Sequence, residues 1–250
     1  MPQNTQDLDP DTIRTLVLSK TWFGFDLDDT LHEFRRASAH ASSVVFTAIH
    51  EENPSVNIDD LKTSYRDILV STTAGAFADK RTSTEYRRER FSLLLRAHGL
   101  EVSMERLDRL LEVYKVNLRA ALTLKPGVLQ LLQRIKSLGK KVIVMTEGPQ
   151  DAQRWTVEEL GLRPYIDVLV TTNEIGQSKV DGLFPAVLET YGIFASDMVY
   201  VGDNEKRDVV PARAAGILAV LYDEKRGCWF EDRAALRVDS LAKLEDLLVY

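Results

Sequence analysis

The sequence predicts an α/β fold, a doubly wound parallel sheet core interrupted after its first strand by a bundle of helices. Three observations predict it. From Lys140 onward, short continuous apolar runs rich in β-branched residues alternate with helical stretches, the pattern of a parallel sheet covered on both faces. A further run of the same kind, TWFGFDL at 21–27, stands apart near the amino end. Between Asp29 and Lys140 lies far more chain than the single helix a parallel crossover requires.

In chain order, 21–27 is the first expected strand. Four segments follow, Ala37–Glu51, Asp59–Thr73, Ser83–His98 and Ser103–Ala121. Each carries apolar residues at helical spacing, with polar or Gly-containing breaks between, so together they should form a small bundle. Pro126 to Leu138 supplies the crossover helix, with Gly139 as its stop. That leaves roughly 85–90 residues, about 34 to 122, as surplus over a βαβ unit. This surplus leaves from and returns to the carboxyl end of the first strand, so it is expected to cover that end as a lid. The expected division is 1–33 with 123–250 as the core, and 34–122 as a helical cap.

The remaining strands are expected at KVIVMT (141–146), DVLVTT (167–172), MVYVGD (198–203) and LAVLY (218–222). Helices should lie between them: Gln150 to Leu160, one opening near Pro185 (a favoured first-turn proline), and one running through Ala215. Asp239 to Val249 reads as a closing amphipathic helix.

With 250 residues, 44% hydrophobic and 28% charged, the chain has room for one large domain or two smaller ones. A net charge of −6 argues against a general nucleic-acid binder. The lone Cys228 cannot form an internal disulfide, which fits a reducing compartment. Met1 to Asp11 has neither the basic start nor the apolar centre of a signal peptide, and no apolar stretch approaches the roughly 20 residues that span a bilayer. A soluble, cytoplasmic protein is expected, with no membrane or nucleic-acid partner.

The stretch FGFDLDDTLHEF (23–34) places three carboxylates, Asp26, Asp28 and Asp29, at the end of an apolar run. Aspartate is a poor strand former, and clustered like charges repel unless compensated. In an open parallel sheet, ligands bind beyond the carboxyl ends of the strands. Asp26 and Asp28, Thr146, Asp203 with Asp208 in GDNEKRD, and Lys179 in the loop after 167–172 all belong to that edge. Carboxylates converging there suit a hard divalent cation such as Mg²⁺. Thr146, followed by Glu147, Gly148 and Pro149 at a helix start, offers a hydroxyl and free N–H groups to an anion. A metal site, an anion site and an aspartate together point to phosphoryl transfer through a covalent aspartyl intermediate.

On these motifs the chain resembles the haloacid dehalogenase-like superfamily from about Lys20 to Tyr222: DLDDT (26–30), the strand-ending Thr146, Lys179 in GQSK, and GDNEKRD (202–208), in family order. The resemblance implies a Rossmann-like core with an inserted cap and a Mg²⁺-dependent phosphatase of a small phosphorylated metabolite. It implies Asp26 as nucleophile and Asp28 as general acid, then base. Mg²⁺ would be held by the Asp26 carboxylate, the Asp28 backbone carbonyl and the Asp203 carboxylate. Asp208 would orient metal waters or Lys179, while Thr146 and Lys179 would hold the phosphoryl oxygens. Two departures stand out. Glu147 occupies a position where many members carry an amide or a small residue, so it should point away from phosphate or contact the rest of the substrate. The lysine motif continues KVDGLF rather than with proline.

Other residues read as structural. Asp29 should support the turn, and His32, His40, His50 and His98 lack metal-ligand spacing. Arg87, Arg88 and Arg90 read as solvated helix faces, whereas Arg35, Arg36 and Arg81 lie closer to the expected pocket. Cys228 and Trp229 read as packing or loop residues. Several other functions compete. A dehalogenase would use Asp26 but needs neither an acid at Asp28 nor a metal. A phosphomutase or other phosphotransferase would return the phosphoryl group to a substrate rather than to water. A receiver-like phosphoacceptor module would be about half this length and lack a lid. A partner-binding pseudoenzyme would have no need of the intact motif set. Specificity is expected to reside in the cap.

Overall fold

The computed structural model describes residues 10–73, 77–225 and 236–248. Helix α1 (Pro10–Leu18) leads into β1 (Trp22–Phe25), and the chain then enters four helices, α2 (Phe34–Glu52), α3 (Ile58–Thr72), α4 (Ser83–Ala97) and α5 (Met104–Ala121). Helix α6 (Val128–Ser137) crosses to β2 (Lys141–Thr146), followed by α7 (Gln150–Glu159), β3 (Val168–Thr171) and the short α8 (Thr172–Ile175). A 3₁₀ turn at Lys179–Asp181 precedes α9 (Leu183–Tyr191) and β4 (Met198–Gly202). A π-helical turn at Glu205–Val209 runs into α10 (Val210–Ala214), and β5 (Leu218–Tyr222), β6 (Leu236–Val238) and α11 (Leu241–Asp246) complete the order.

The six strands form one parallel sheet in the order β3-β2-β1-β4-β5-β6. The chain builds outward from β1 on one side, then jumps back across it and builds outward on the other. The reversal in strand order therefore falls at β1, where a parallel sheet opens a crevice at its carboxyl edge. Alternation along the strands separates the two faces. Phe23, Phe25, Val142, Val144, Val199 and Val201 pack with α1, α6 and α11, while Ile143, Met145, Val170, Met198 and Tyr200 pack with α9 and α10. The sheet is thus doubly wound, as the continuous apolar runs predict. Among the described residues, no helix is long and apolar enough to cross a membrane.

Three elements have no counterpart in the sequence expectations, among them the single-turn helix α8 directly after β3. Helix α1 anchors itself to the core through Ile13 and Val17, too few apolar positions to establish a period. Strand β6 is three residues with Arg237 at its centre, so it shows no continuous apolar run. Cys228, Trp229 and Val249 lie outside the described residues.

One glycine in the sheet is there for want of space. A Cβ on Gly24 would lie 2.7 Å from Tyr200 Cδ2 and 3.3 Å from Met145 Cε. Gly24→Ala should therefore push the Tyr200 ring against a filled core and destabilise the protein by about 1–3 kcal/mol, read as a lowered denaturant midpoint. A midpoint equal to wild type would show that the ring relocates freely.

Helices α2–α5 bury their own apolar cluster, including Val45, Ile49, Leu61, Phe91, Leu94 and Leu110. Helix α4 begins with a capping box, Thr82 and Glu85 each satisfying the other's backbone N–H. The two connections to the core run side by side. The Glu33 N–H donates to Thr123 O at 2.9 Å, the Lys125 N–H donates to Leu31 O at 3.0 Å, and His32 forms an antiparallel bridge with Leu124. The Lys125 ammonium ties this junction to Glu33 at 3.0 Å and Glu224 at 2.7 Å. Further out, the Ser83 N–H and hydroxyl both donate to Asp151 in the first turn of α7.

Candidate active site

The edge of β1 forms the floor of the site. Asp26 continues the ladder by one bond, its N–H donating to Val201 O at 2.9 Å, so its side chain is fixed at the centre of the sheet's carboxyl edge. Asp29 then takes a left-handed conformation (φ 61°), and its N–H donates to His32 O at 2.8 Å. The Asp29 carboxylate accepts from the Arg35 N–H in the first turn of α2 at 3.0 Å, closing the tight turn that redirects the chain. Asp29 is thus the turn support its sequence position suggests.

Lys179 is 3% exposed, and its Nζ lies 2.6 Å from Asp26 Oδ1 and 2.6 Å from Asp208 Oδ1. Asp208 also accepts from the Tyr200 hydroxyl at 3.1 Å and from the Asn204 N–H at 3.0 Å, which fixes both of its oxygens. Its approach depends on Gly202, where a Cβ would come within 2.3 Å of Asp208 Cγ. Burial pushes the Asp26 carboxyl up to about 8, against the pull of Lys179. Burial alone would lower Lys179, but the facing carboxylates hold it well above its ordinary value. The Lys179 ammonium is charged and places a positive group between the two carboxyls.

Asp203 completes the cluster. One carboxylate oxygen from each of Asp26, Asp203 and Asp208 lies within 4.8 Å of the others, an all-oxygen donor set of the kind a hard divalent cation takes. Burial raises the Asp203 carboxyl, opposed by Arg35, whose guanidinium lies 3.1 Å from Asp203 and 3.2 Å from Asp29. The Asp28 carboxylate stands apart from this set. It meets His32 Nε2 at 2.8 Å and accepts from Gln153 Nε2 at 3.3 Å. The structure therefore sorts the acids into a cation-type cluster and one separately held carboxyl.

Thr146 ends β2 fully buried, its hydroxyl donating to Gln153 Oε1 at 3.4 Å. The Gly148 N–H reaches Thr172 Oγ1 only at a long 3.4 Å. Glu147 is engaged on both oxygens, by the Lys179 backbone N–H at 2.9 Å and by the Arg207 guanidinium. Its charge is occupied in holding the Lys179 loop, while the residue itself still lines the cavity of the site. The KVDGLF departure folds as the 3₁₀ turn, with the Ser178 hydroxyl donating to Asp181 at 2.5 Å.

All the expected site residues, Asp26, Asp28, Thr146, Lys179, Asp203 and Asp208, line one cavity of about 360 Å³ between the sheet edge and the four-helix insert. Sequence reasoning missed His32 and Gln153, the two partners of Asp28, and Tyr200, which steadies Asp208. The four-residue spacing of Asp28 and His32 was the one available signal. Arg35 does reach the site, whereas Arg81 pairs with Glu89 at 2.7 Å and Arg36 is exposed.

Known proteins similar to this chain match it over about nine-tenths of its length. The chain is 26% identical to a ribulose-1,5-bisphosphate 5-phosphatase of Halopiger xanaduensis, over 90% of this chain and 97% of that protein. It is 27% identical to a pyrimidine 5′-nucleotidase of Escherichia coli, over 91% and 97%. The fold superposes with a TM-score of 0.67 on a 2-haloacid dehalogenase from Pseudomonas syringae, 25% identical and covering 92% of this chain and 98% of that one. Residues 21–216, strand β1 through the turn after α10, match the haloacid dehalogenase-like hydrolase family, and the protein belongs to it.

Proposed function

We propose that this protein is a Mg²⁺-dependent phosphatase of a small phosphomonoester that acts through an aspartyl-phosphate on Asp26. The observation that carries the reading is the division among the acids. Asp26 sits against Lys179 and the carboxylate cluster, while Asp28 is held separately by His32 and Gln153. A dehalogenase needs Asp26 but neither the cation-type cluster nor the separately held Asp28; phosphoester hydrolysis uses all three.

In this reading the Asp26 carboxylate attacks phosphorus while the ester P–O bond breaks, and Asp28 gives its proton to the departing alkoxide. The Thr146 hydroxyl and the Lys179 ammonium hold phosphoryl oxygens as charge shifts onto them. Water then attacks the phosphoryl group, Asp28 takes its proton, and the Asp26–phosphorus bond breaks to release inorganic phosphate. His32 and Gln153 keep the Asp28 carboxyl aimed through both steps. The Asp26 and Asp203 carboxylates with the Asp28 carbonyl would hold Mg²⁺, Asp208 orienting its waters or Lys179. The ion supplies charge neutralisation that lets an anionic nucleophile approach an anionic ester. Residues 34–122 act as a cap over the core formed by 1–33 and 123–250, shielding the reaction from water.

Phosphate release from a panel of metabolite phosphates, with and without Mg²⁺, tests the reading. Metal-dependent release is expected; a phosphorylated product in place of inorganic phosphate would assign a mutase or transferase instead. Asp203→Asn should raise the Mg²⁺ concentration for half-maximal rate by roughly 10–100-fold or more. It should also shrink the rise in melting temperature that Mg²⁺ gives wild type, since a ligand that binds only the native state stabilises it. Activity retained in chelator, with a melting temperature indifferent to Mg²⁺, would remove the metal from the scheme.

A further inference from the structure

The cavity has a second charged wall. Every carboxylate that lines it comes from the core, whereas helix α4 of the insert contributes two arginines, Arg87 and Arg90. Arg90 is not the solvated helix-face residue its sequence position suggests, being only 9% exposed. Its Nε donates to Thr72 Oγ1 at 2.9 Å, but its Nη2 is buried and has no hydrogen-bond partner among the described residues. Its guanidinium lies 5.5 Å from the Tyr86 ring centre and 5.7 Å from that of Phe77. Arg87 stacks over Tyr114 at 4.9 Å and donates to Ser83 Oγ at 3.0 Å.

Neither arginine has a carboxylate partner among the ion pairs of the described residues, although nearby Arg81 and Arg88 do, with Glu89 at 2.7 Å and Asp108 at 2.6 Å. A buried guanidinium without a counter-ion is costly, and a second cation beside it adds repulsion. Burial, with Arg87 adding to it, pulls Arg90 below its ordinary value. An anion entering the cavity would remove both penalties. A guanidinium whose Nη2 has no partner among the described residues offers the forked donors that carboxylate and phosphate oxygens accept. The aromatic side chains around it suit a short carbon skeleton between two charged ends.

We propose that Arg90, assisted by Arg87, binds a second anionic group, a carboxylate or a further phosphate, on the molecule whose phosphoester lies at Asp26. This deepens the phosphatase reading and rests on it for the position of the ester. The substrate class is then a small, doubly anionic phosphate ester, not one with an uncharged tail.

Non-hydrolysable phosphonates test the subsite without turnover. Calorimetry on the Mg²⁺-loaded protein would compare ω-phosphonocarboxylates and alkane bisphosphonates of two to five carbons with alkylphosphonates of equal length. Wild type is expected to bind at least one length of anionic-tailed ligand about tenfold or more tighter than its uncharged counterpart, and the preferred tail separates carboxylate from phosphate. In Arg90→Met, and in the charge-preserving Arg90→Lys, that ratio should fall, furthest in Arg90→Met. Equal affinity of wild type for charged and uncharged tails at every length would overturn the proposal whether or not the variants fold. So would a preference that survives intact in a folded Arg90→Met. Phosphate release is scored separately: a charged-tail preference in a protein that hydrolyses no ester would retain the subsite and reject the phosphatase.

Discussion

Asp26→Asn should bring release of phosphate from p-nitrophenyl phosphate down to background, a loss on the order of 10⁴-fold or more. The amide has nearly the shape of the carboxylate, and its oxygen can still accept from Lys179, so the site remains assembled around Asp208 and Tyr200. What disappears is the proposed nucleophile, together with one carboxylate of the cation-type cluster. The folded protein should lose little. Burial already pushes the Asp26 carboxyl up to about 8, which means that its surroundings oppose the ionised form the chemistry needs. A neutral amide relieves that opposition, so the variant should melt within a few degrees of wild type or above it. Mass spectrometry after a quench should find no phosphorylated protein. A folded Asp26→Asn protein that releases phosphate at the wild-type rate would exclude the covalent route.

Asp28→Asn should divide substrates by their leaving groups. General acid–base assistance is typically worth roughly 10²–10⁴ in rate. It matters most for a poor leaving group such as a sugar alkoxide, and little for p-nitrophenolate in the first step. Alkyl phosphates should therefore slow severely. With the aryl ester the first step should proceed while the second, now without its base, stalls, so phosphoprotein accumulates on Asp26. The partners of Asp28 sharpen the expectation. His32 Nε2 lies 2.8 Å from Oδ1, and the Gln153 amide 3.3 Å from Oδ2, so an asparagine can be seated between them with little rearrangement. Rapid-quench measurement is the check. Equal losses on alkyl and aryl esters without accumulation would make Asp28 a support for the metal site and no acid–base group.

Much of this site was legible because its residues sit where the hydrophobic period ends. Asp26, Thr146 and Asp203 each follow directly on, or close, an apolar run whose β-branched continuity announces a buried strand, so their common edge follows from the fold class. The four insert helices were legible through their spacing, to within a few residues at their ends. What the sequence hid depends on contacts between distant elements. Gln153 meets Asp28 across 125 positions, and nothing in the local pattern of α7 sets it apart. Arg90 lies in an arginine-rich stretch that looks solvated, and only the packing of α4 against Thr72 and Phe77 buries it. Strand β6 takes its place from pairing with β5, three residues being too few to show a period.

The paired connections at Glu33–Thr123 and His32–Leu124 also bear on how such proteins diversify. Because both ends of the insert leave the core side by side and hydrogen-bonded, the whole stretch between them is one contiguous block, held further out by contacts such as Ser83 to Asp151 and Arg35 to Asp203. Its apolar cluster is its own apart from the edge it shares with Trp155, and the strand register of the sheet does not pass through it. A run of substitutions confined to the far side of that block can redraw the far wall of the cavity, Arg87 and Arg90 included, while leaving in place Arg35, the one residue of α2 that pairs with Asp203. On the proposed reading, reaction chemistry and substrate choice would then lie largely in different segments of the gene, free to evolve at different rates.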